Sequence, residues 1–491
     1  MPCRQRPAGG FVAVVTKQIE AGRALTDIYP ARFCTLCRKE DAMSKQRIQL
    51  SDHFTYPRLL RFVLPCIGTM LFTSIYGIVD GLCVSNFVGK TAFAAVNLIM
   101  PLPMLLGTIG FMLGTGGSAI VGITLGEGDQ KKADRYFTLF LLAALVSVSV
   151  LAVLGIVFLR PIAVLLGAKG ELLDYAVRYG RILMVSLPTF ALQNMFQSFF
   201  VTAEKPHLGF WFTVGAGCTN MVLDVLMVGV WGWGVEGAAI ATFISQLVGG
   251  VLPVFYFIDR SNSSRLHLCK TSFYSKVLRD ACINGSSELM TNLSMSLVNI
   301  LYNYQLLRLA GENGVAAYGV IMYAAFLFVA VFVGYAVGSA PIVSFHYGAR
   351  NHAEVHNLYR KSLRLIAVVA VTLTLASMFI IPCVARIFVG YDAELLALTS
   401  RAFRLYALSF LIMGFNVYAS SFFTALGDGV TSALISFLRT LAFQVIAILL
   451  LPLLLGIDGI WLAVTAAELA ALAVSAAMLL TKDKVFHYRK A

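Results

Sequence analysis

Twelve long apolar runs decide what this chain can become. They fall at about 57–85, 92–125, 136–159, 172–202, 208–231, 235–258, 280–308, 314–346, 363–388, 396–425, 430–453 and 459–480. Each is long enough for a helix to cross a bilayer, which takes about 20 residues. The chain is 58% hydrophobic and only 13% charged, where a soluble domain carries roughly 25% charged residues. Its mean hydropathy is +0.80. A membrane β-barrel would show short alternating segments instead. The expectation is an all-α polytopic membrane protein of twelve transmembrane helices, several long enough to tilt or to project past the bilayer.

The net charge of +13 would suggest a nucleic-acid partner in a soluble protein. Here the positive charge lies mostly in short loops, so no nucleic-acid partner is expected and the charge sets topology. Lys45, Arg47, Arg58 and Arg61 precede the first run; Lys131, Lys132 and Arg135 lie between the second and third. Arg260, Arg265, Lys270, Lys276 and Arg279 lie between the sixth and seventh, and Arg350, Arg360, Lys361 and Arg364 between the eighth and ninth. Lys482, Lys484, Arg489 and Lys490 close the chain. With twelve crossings all of these fall on one side; the alternate loops are poorer, holding Lys90 and Arg308 singly, with Arg160, Lys169 and Arg386 as the exceptions. Basic loops mark the cytoplasmic side, so both termini are expected there, in a plasma or inner membrane.

Residues 1–42 have no apolar run that could span and no signal-peptide order. They read as an extension upstream of a start at Met43, within a cytoplasmic tail covering 1–50. Cys34 and Cys37 form a lone pair without the two further ligands a zinc site needs, and the nine cysteines imply no disulfide framework.

The chain also meets itself when shifted by 222 residues. Gly89 falls on Gly311, Gly116 on Gly338, Gly126 on Gly348, Asn194 on Asn416, and Thr202 on Thr424; Gly234, Glu236 and Gly237 fall on Gly456, Asp458 and Gly459. One offset aligns glycines and turn acids, which apolar composition alone would not do. The chain therefore divides into an amino-terminal six-helix lobe (51–258), a basic cytoplasmic linker (259–279), a carboxyl-terminal six-helix lobe (280–480) and a tail (481–491). Six crossings return the chain to its starting side, so the lobes share orientation and are related by a pseudo-two-fold axis along the membrane normal. Two lobes around a cavity suit a transporter, and the fused repeat suits a functional monomer.

The stretch NMVLD, Asn220 to Asp224, sets an amide and a carboxylate four residues apart inside an apolar run, hence on one helix face. Alternating topology puts Asp80, Asn220, Asp224 and Thr242 at similar depth in the first lobe. An acid within a span costs about 2.5–3.5 kcal/mol on insertion scales and faces a polar interior. Two acids together favour a shared proton or a bound cation, and two carboxylates, an amide and a hydroxyl suit a hard one.

VDGLCVSNFVGKTAFAAVNLIMPL (Val79 to Leu102), GITLGEGDQKKADRYF (Gly122 to Phe137) and GVEGAAIAT (Gly234 to Thr242) resemble the MATE family, the multidrug and toxic compound extrusion transporters. The resemblance covers about residues 50–480. It implies export of organic, cationic and amphipathic compounds, drugs or toxic metabolites, in exchange for H⁺ or Na⁺, with no other cofactor. It further implies a cation-coupling role for Asp80, Asn220, Asp224 and Thr242, with a possible Na⁺ at Asp80 and Asp224. Pro65 matches a helix-one proline of that family and, by removing one backbone hydrogen bond, could act as a hinge.

The second lobe does not repeat these acids, since Tyr302 and Ile446 stand at the positions of Asp80 and Asp224. Its most notable membrane acid is Glu288, read either as a cation ligand or as a partner for Arg279. Asn194, Gln197, Glu288, Asn292, Asn299, Asn416 and Tyr418 are candidates to line a substrate cavity, with Phe190, Phe196 and Met70 as apolar neighbours. Gly114, Gly116 and Gly117 are expected to let helices approach closely. No ATP-binding loop and no H-E-x-x-H motif is present, so the chain is expected not to be an enzyme. A lipid-linked sugar flippase would need a more basic cavity, and a membrane-embedded enzyme a compact catalytic cluster; these remain the alternatives.

Overall fold

The computed structural model describes residues 48–489 except 88, 89 and 391, and leaves undescribed the side chains of 78, 80–87, 90–93, 384 and 387. Residues 1–47, with Met43 and the Cys34–Cys37 pair, lie outside the described residues. Among the described residues every regular element is helical. The first span is the helix Tyr56–Phe87, the third Gln130–Leu165 and the fourth Glu171–Thr202. The second is Lys90–Ile99 continued by Pro101–Gly126, and the sixth is Gly234–Gly250 continued by Leu252–Ile258. Prolines at the start of the continuing helices remove a backbone donor at each junction.

Among the described residues nine helices pass a length-and-hydropathy test for crossing a membrane, and Ala393–Ala407 with Phe410–Ala425 forms a tenth span bent by 46°. One of the nine, Ser275–Gly348, is too long for a single crossing at 1.5 Å per residue. It breaks at Gly311, whose φ of 61° and ψ of −151° are open to glycine and strained for other residues. Counting both of its parts, and the fourth span with its four terminal charges, gives twelve helices in two lobes. The eleventh span is Gly429–Leu455 with a π-turn at Leu438–Ala442, and the twelfth is Ile457–Thr481.

The repeat extends to the turns. Gly234 and Gly456, equivalent positions, both take positive φ, 59° and 58°. Asp129 and Asn351, also equivalent, cap the third and ninth spans by accepting from Lys132 N (3.0 Å) and Glu354 N (3.1 Å).

Helix approach depends on small residues. The side chain absent from Gly114 would stand 3.0 Å from Met195 Cα on the fourth span, that of Gly117 2.8 Å from the Phe140 ring on the third, and that of Gly116 would overlap Ala281 O on the seventh. Three glycines within four residues thus seat three helices on one. The lobes meet at the end of the molecule where Leu50 bonds the turn after the fourth span. There Gly116 abuts Gly285, Gly338 abuts Val63 and Cys66, Gly334 abuts Ile67, and Gly126 and Gly348 abut Phe345 and Ile123. At the far end the seventh span is open on several faces, with Leu293, Met295, Leu297 and Ile300 between 39% and 68% exposed.

Candidate functional site

The fifth span carries two of the candidate coupling residues, Asn220 and Asp224. Its α-helix ends at Asp224 and continues as a π-helix over Val225–Val230. Such insertions recur at functional positions, and this one starts directly after the carboxylate. Gly217, Asn220 and Asp224 are spaced i, i+3 and i+7 and share one face. That face meets the first span, because a Cβ on Gly217 would overlap Phe72 and stand 3.3 Å from Tyr76. Asn220 is 2% exposed and Asp224 is 0% exposed. Asn220 Oδ1 is buried without a hydrogen-bond partner, an exception to the rule that buried polar atoms are paired.

Asp80 stands one helical turn beyond Tyr76 on the first span; its side chain lies outside the described residues. The first and fifth spans both start at the end where Leu50 N bonds Glu204 Oε1, and they pack side by side. Thr242 is on the sixth span, which packs against both the fifth span and its π-turn. Its hydroxyl donates to its own helix, at Ala238 O, 3.0 Å away, the local bond that serine and threonine make within helices. The helix Tyr56–Phe87 passes through Pro65 unbroken, and Thr69 Oγ1 donates to Pro65 O at 2.9 Å.

The cavity candidates separate into three groups. Gln197 lines a small crevice with Cys66, Thr69, Met70, Pro206 and Val337, where the first, fourth, fifth and eighth spans converge. Asn194 and Asn292 turn back on their own helices, bonding Phe190 O (3.0 Å) and Glu288 O (2.9 Å), while Asn299 is exposed and accepts from Asn303 at 3.5 Å. Asn416 and Tyr418, 0% and 2% exposed, are packed inside the second lobe and do not line an open surface.

Asn416 belongs to a buried network that the sequence reading passed over. Its Nδ2 donates to Glu468 Oε2 (2.7 Å) and to Glu468 O (2.9 Å), and Ser475 Oγ donates to its Oδ1 (2.9 Å). Arg439, in the π-turn of the eleventh span, brings Nε to 3.6 Å from Glu468 Oε1. Glu468 is 1% exposed, so it, and not the partly buried Glu288, is the second lobe's most enclosed acid. Arg279 pairs with its neighbour Asp280 at 3.4 Å. The signal was in the sequence: an arginine and a glutamate inside runs 430–453 and 459–480. In the 222-residue repeat they replace Gly217 and Gln246.

Comparison with known proteins agrees with the duplicated fold. The sequence profile of the MatE family matches residues 65–226 and 289–450, one block in each half. The multidrug export protein MepA of Staphylococcus saprophyticus is 21% identical over 433 residues, covering 87% of this chain and 94% of that protein. MepA of Staphylococcus aureus strain MSSA476 is 21% identical, covering 88% and 95%. Among solved structures, a MATE crystallised in complex with MaL6 superposes with a TM-score of 0.83 at 23% identity, covering 88% of this chain and 97% of that one. An outward-facing multidrug resistance MATE family transporter of the MOP superfamily gives 0.82 at 23% identity, covering 88% and 96%. With a family profile matched twice, over most of each half, this chain belongs to the MatE family.

Proposed function

We propose that this chain is a secondary active multidrug efflux antiporter, exporting amphipathic organic cations in exchange for H⁺ or Na⁺. The single observation that carries the reading is the burial of Asn220 and Asp224 on the face of the fifth span that packs against the first. The names of the MepA relatives support the substrate class. Asp224, Asn220, Asp80 and Thr242 are the residues that would hold the ion, and the unpartnered Asn220 Oδ1 fits an added ligand. A bound proton or Na⁺ supplies positive charge to carboxylates that are costly to leave ionised in the span.

In this reading the end from which the first span starts faces the cytoplasm, and Pro65 lets the first span bend as the site changes occupancy. Asp224 attracts a cationic substrate when ionised and loses that attraction when neutralised. Exchange then rests on a differential affinity of the two lobe arrangements for ion and substrate. Aromatic side chains such as Phe190 suit a flat cation, and the crevice beside Gln197 and Met70 would have to widen as the lobes part to admit one. The test is accumulation of a fluorescent cation in cells lacking their own efflux pumps. Expression of the chain should lower accumulation, and Asp224→Asn, at equal expression, should restore it; equal efflux by the variant removes Asp224 from the mechanism.

A further inference from the structure

We infer that Glu354 is a positioning residue for transport: it grips the segment Leu50–Phe54 and thereby holds the two lobes shut at the end from which the first span starts. This rests on the alternating-access reading above, but on none of the residues of the coupling site.

The segment crosses from one lobe to the other. Leu50 N donates to Glu204 Oε1 at 2.9 Å, in the turn between the fourth and fifth spans, where Arg265 also binds the same oxygen at 2.6 Å. Four residues on, Phe54 N donates to Glu354 Oε1 at 2.9 Å, and His53 Nδ1 lies 2.6 Å from Oε2. Asn357 Nδ2 donates to Oε1 at 2.8 Å, and Lys361 Nζ donates to Phe54 O at 2.7 Å. Glu354, Asn357 and Lys361 are spaced i, i+3 and i+7, so one face of the ninth span presents the whole grip. The Phe54 ring is 0% exposed and stands edge-on to His346 of the eighth span, with centroids 6.4 Å apart.

Leu50–Phe54 runs directly into the first span, so it travels with the first lobe. When the lobes part at this end, its bonds to the ninth span must break along with the glycine contacts described above. Glu354 has a side chain only 7% exposed, and a buried carboxylate is tolerated only with its donors in place. Charge-assisted bonds of this kind are about twice as strong as neutral ones. Release therefore exchanges several strong bonds for water at once, which makes Glu354 a determinant of how long this end stays closed. The residue is far along the chain from the coupling acids and touches no part of the proposed ion site.

The test uses the full chain in lipid nanodiscs, with its cysteines replaced and spin labels at Lys131 and Arg360, one exposed position on each lobe at this end. Pulsed dipolar spectroscopy reads the separation. Glu354→Gln should raise the ratio of long to short separations about tenfold, and Lys361→Met, which leaves the carboxylate intact, about threefold. Thermal melting establishes that each variant is folded, and Lys361→Met keeps the test open should Glu354→Gln not fold. Distributions in both folded variants equal to wild type would overturn the inference. A wild-type chain that shows one separation under every ion and substrate condition would instead overturn alternating access itself.

Discussion

Gly126 and Gly348 occupy the same place in the two halves of the chain and lock those halves together: a Cβ on Gly126 would overlap Phe345 O, and one on Gly348 would overlap Ile123 O. Ile123 and Phe345 are themselves equivalent in the 222-residue repeat. The contact is thus made twice by one motif across the pseudo-two-fold axis. Gly126→Ala is expected to destabilise the protein by about 1–3 kcal/mol through overpacking against backbone, read as a lower melting temperature in detergent. Gly319→Ala, where a Cβ would meet nothing within 4 Å, should be neutral or stabilising by up to about 1 kcal/mol.

Arg350 offers the opposite case. It takes a left-handed φ of 56°, where its repeat partner Gly128 takes 87°. A non-glycine residue is strained there by about 1 kcal/mol or more. Arg350→Gly should raise the melting temperature, and an unchanged or lower value would show that the arginine makes compensating contacts.

The Arg439–Glu468 pair should behave as a unit. Glu468→Gln alone strands a buried guanidinium and should cost about 3–5 kcal/mol. Adding Arg439→Met should recover much of that loss, with a coupling energy of about 1–3 kcal/mol in a double-mutant cycle of unfolding free energies. Additive losses would mean that the two side chains act separately.

Much of the fold was legible because bilayer thickness sets the length of each apolar run. The runs predicted at 172–202 and 208–231 became helices at Glu171–Thr202 and Pro206–Val230. Loops bearing Gly234 and Gly456 paired by sequence and then by backbone angle. The π-turns after Asp224 and at Leu438–Ala442 left no trace in the sequence, because one extra residue in a helical turn changes neither composition nor apolar period. The hydroxyl of Thr242 and the amide of Asn194 could not be assigned to neighbours or to their own helices without coordinates. Arg439 and Glu468 were visible and were passed over, since a residue's meaning inside an apolar run depends on what faces it. The boundary placed at 50/51 cuts the strap Leu50–Phe54 and its role is not legible there, because its anchors Glu204 and Glu354 are far away in sequence.

Asp428 caps the eleventh span and binds Lys482 at 2.8 Å and Thr431 Oγ1 at 2.8 Å. Burial pushes its carboxyl pKa up, but the Lys482 ammonium and the Thr431 donors outweigh that and hold it below the ordinary aspartate value. A carboxylate with a lowered folded pKa adds stability that is complete above the unfolded value of about 3.9 and is lost as pH falls through the folded value. Wild type should therefore melt higher than Asp428→Asn at pH 6, with the gap closing below about pH 4. A gap that persists unchanged through the acid range would show that the charge of Asp428 is not what stabilises this turn.

The most direct test of the account is substrate efflux from proteoliposomes under an imposed proton gradient and, separately, an imposed sodium gradient. The account predicts that at least one gradient drives uphill transport by the wild-type protein and that neither drives it in folded Asp224→Asn. Gradient-driven transport that survives in Asp224→Asn, at the wild-type rate, would contradict it.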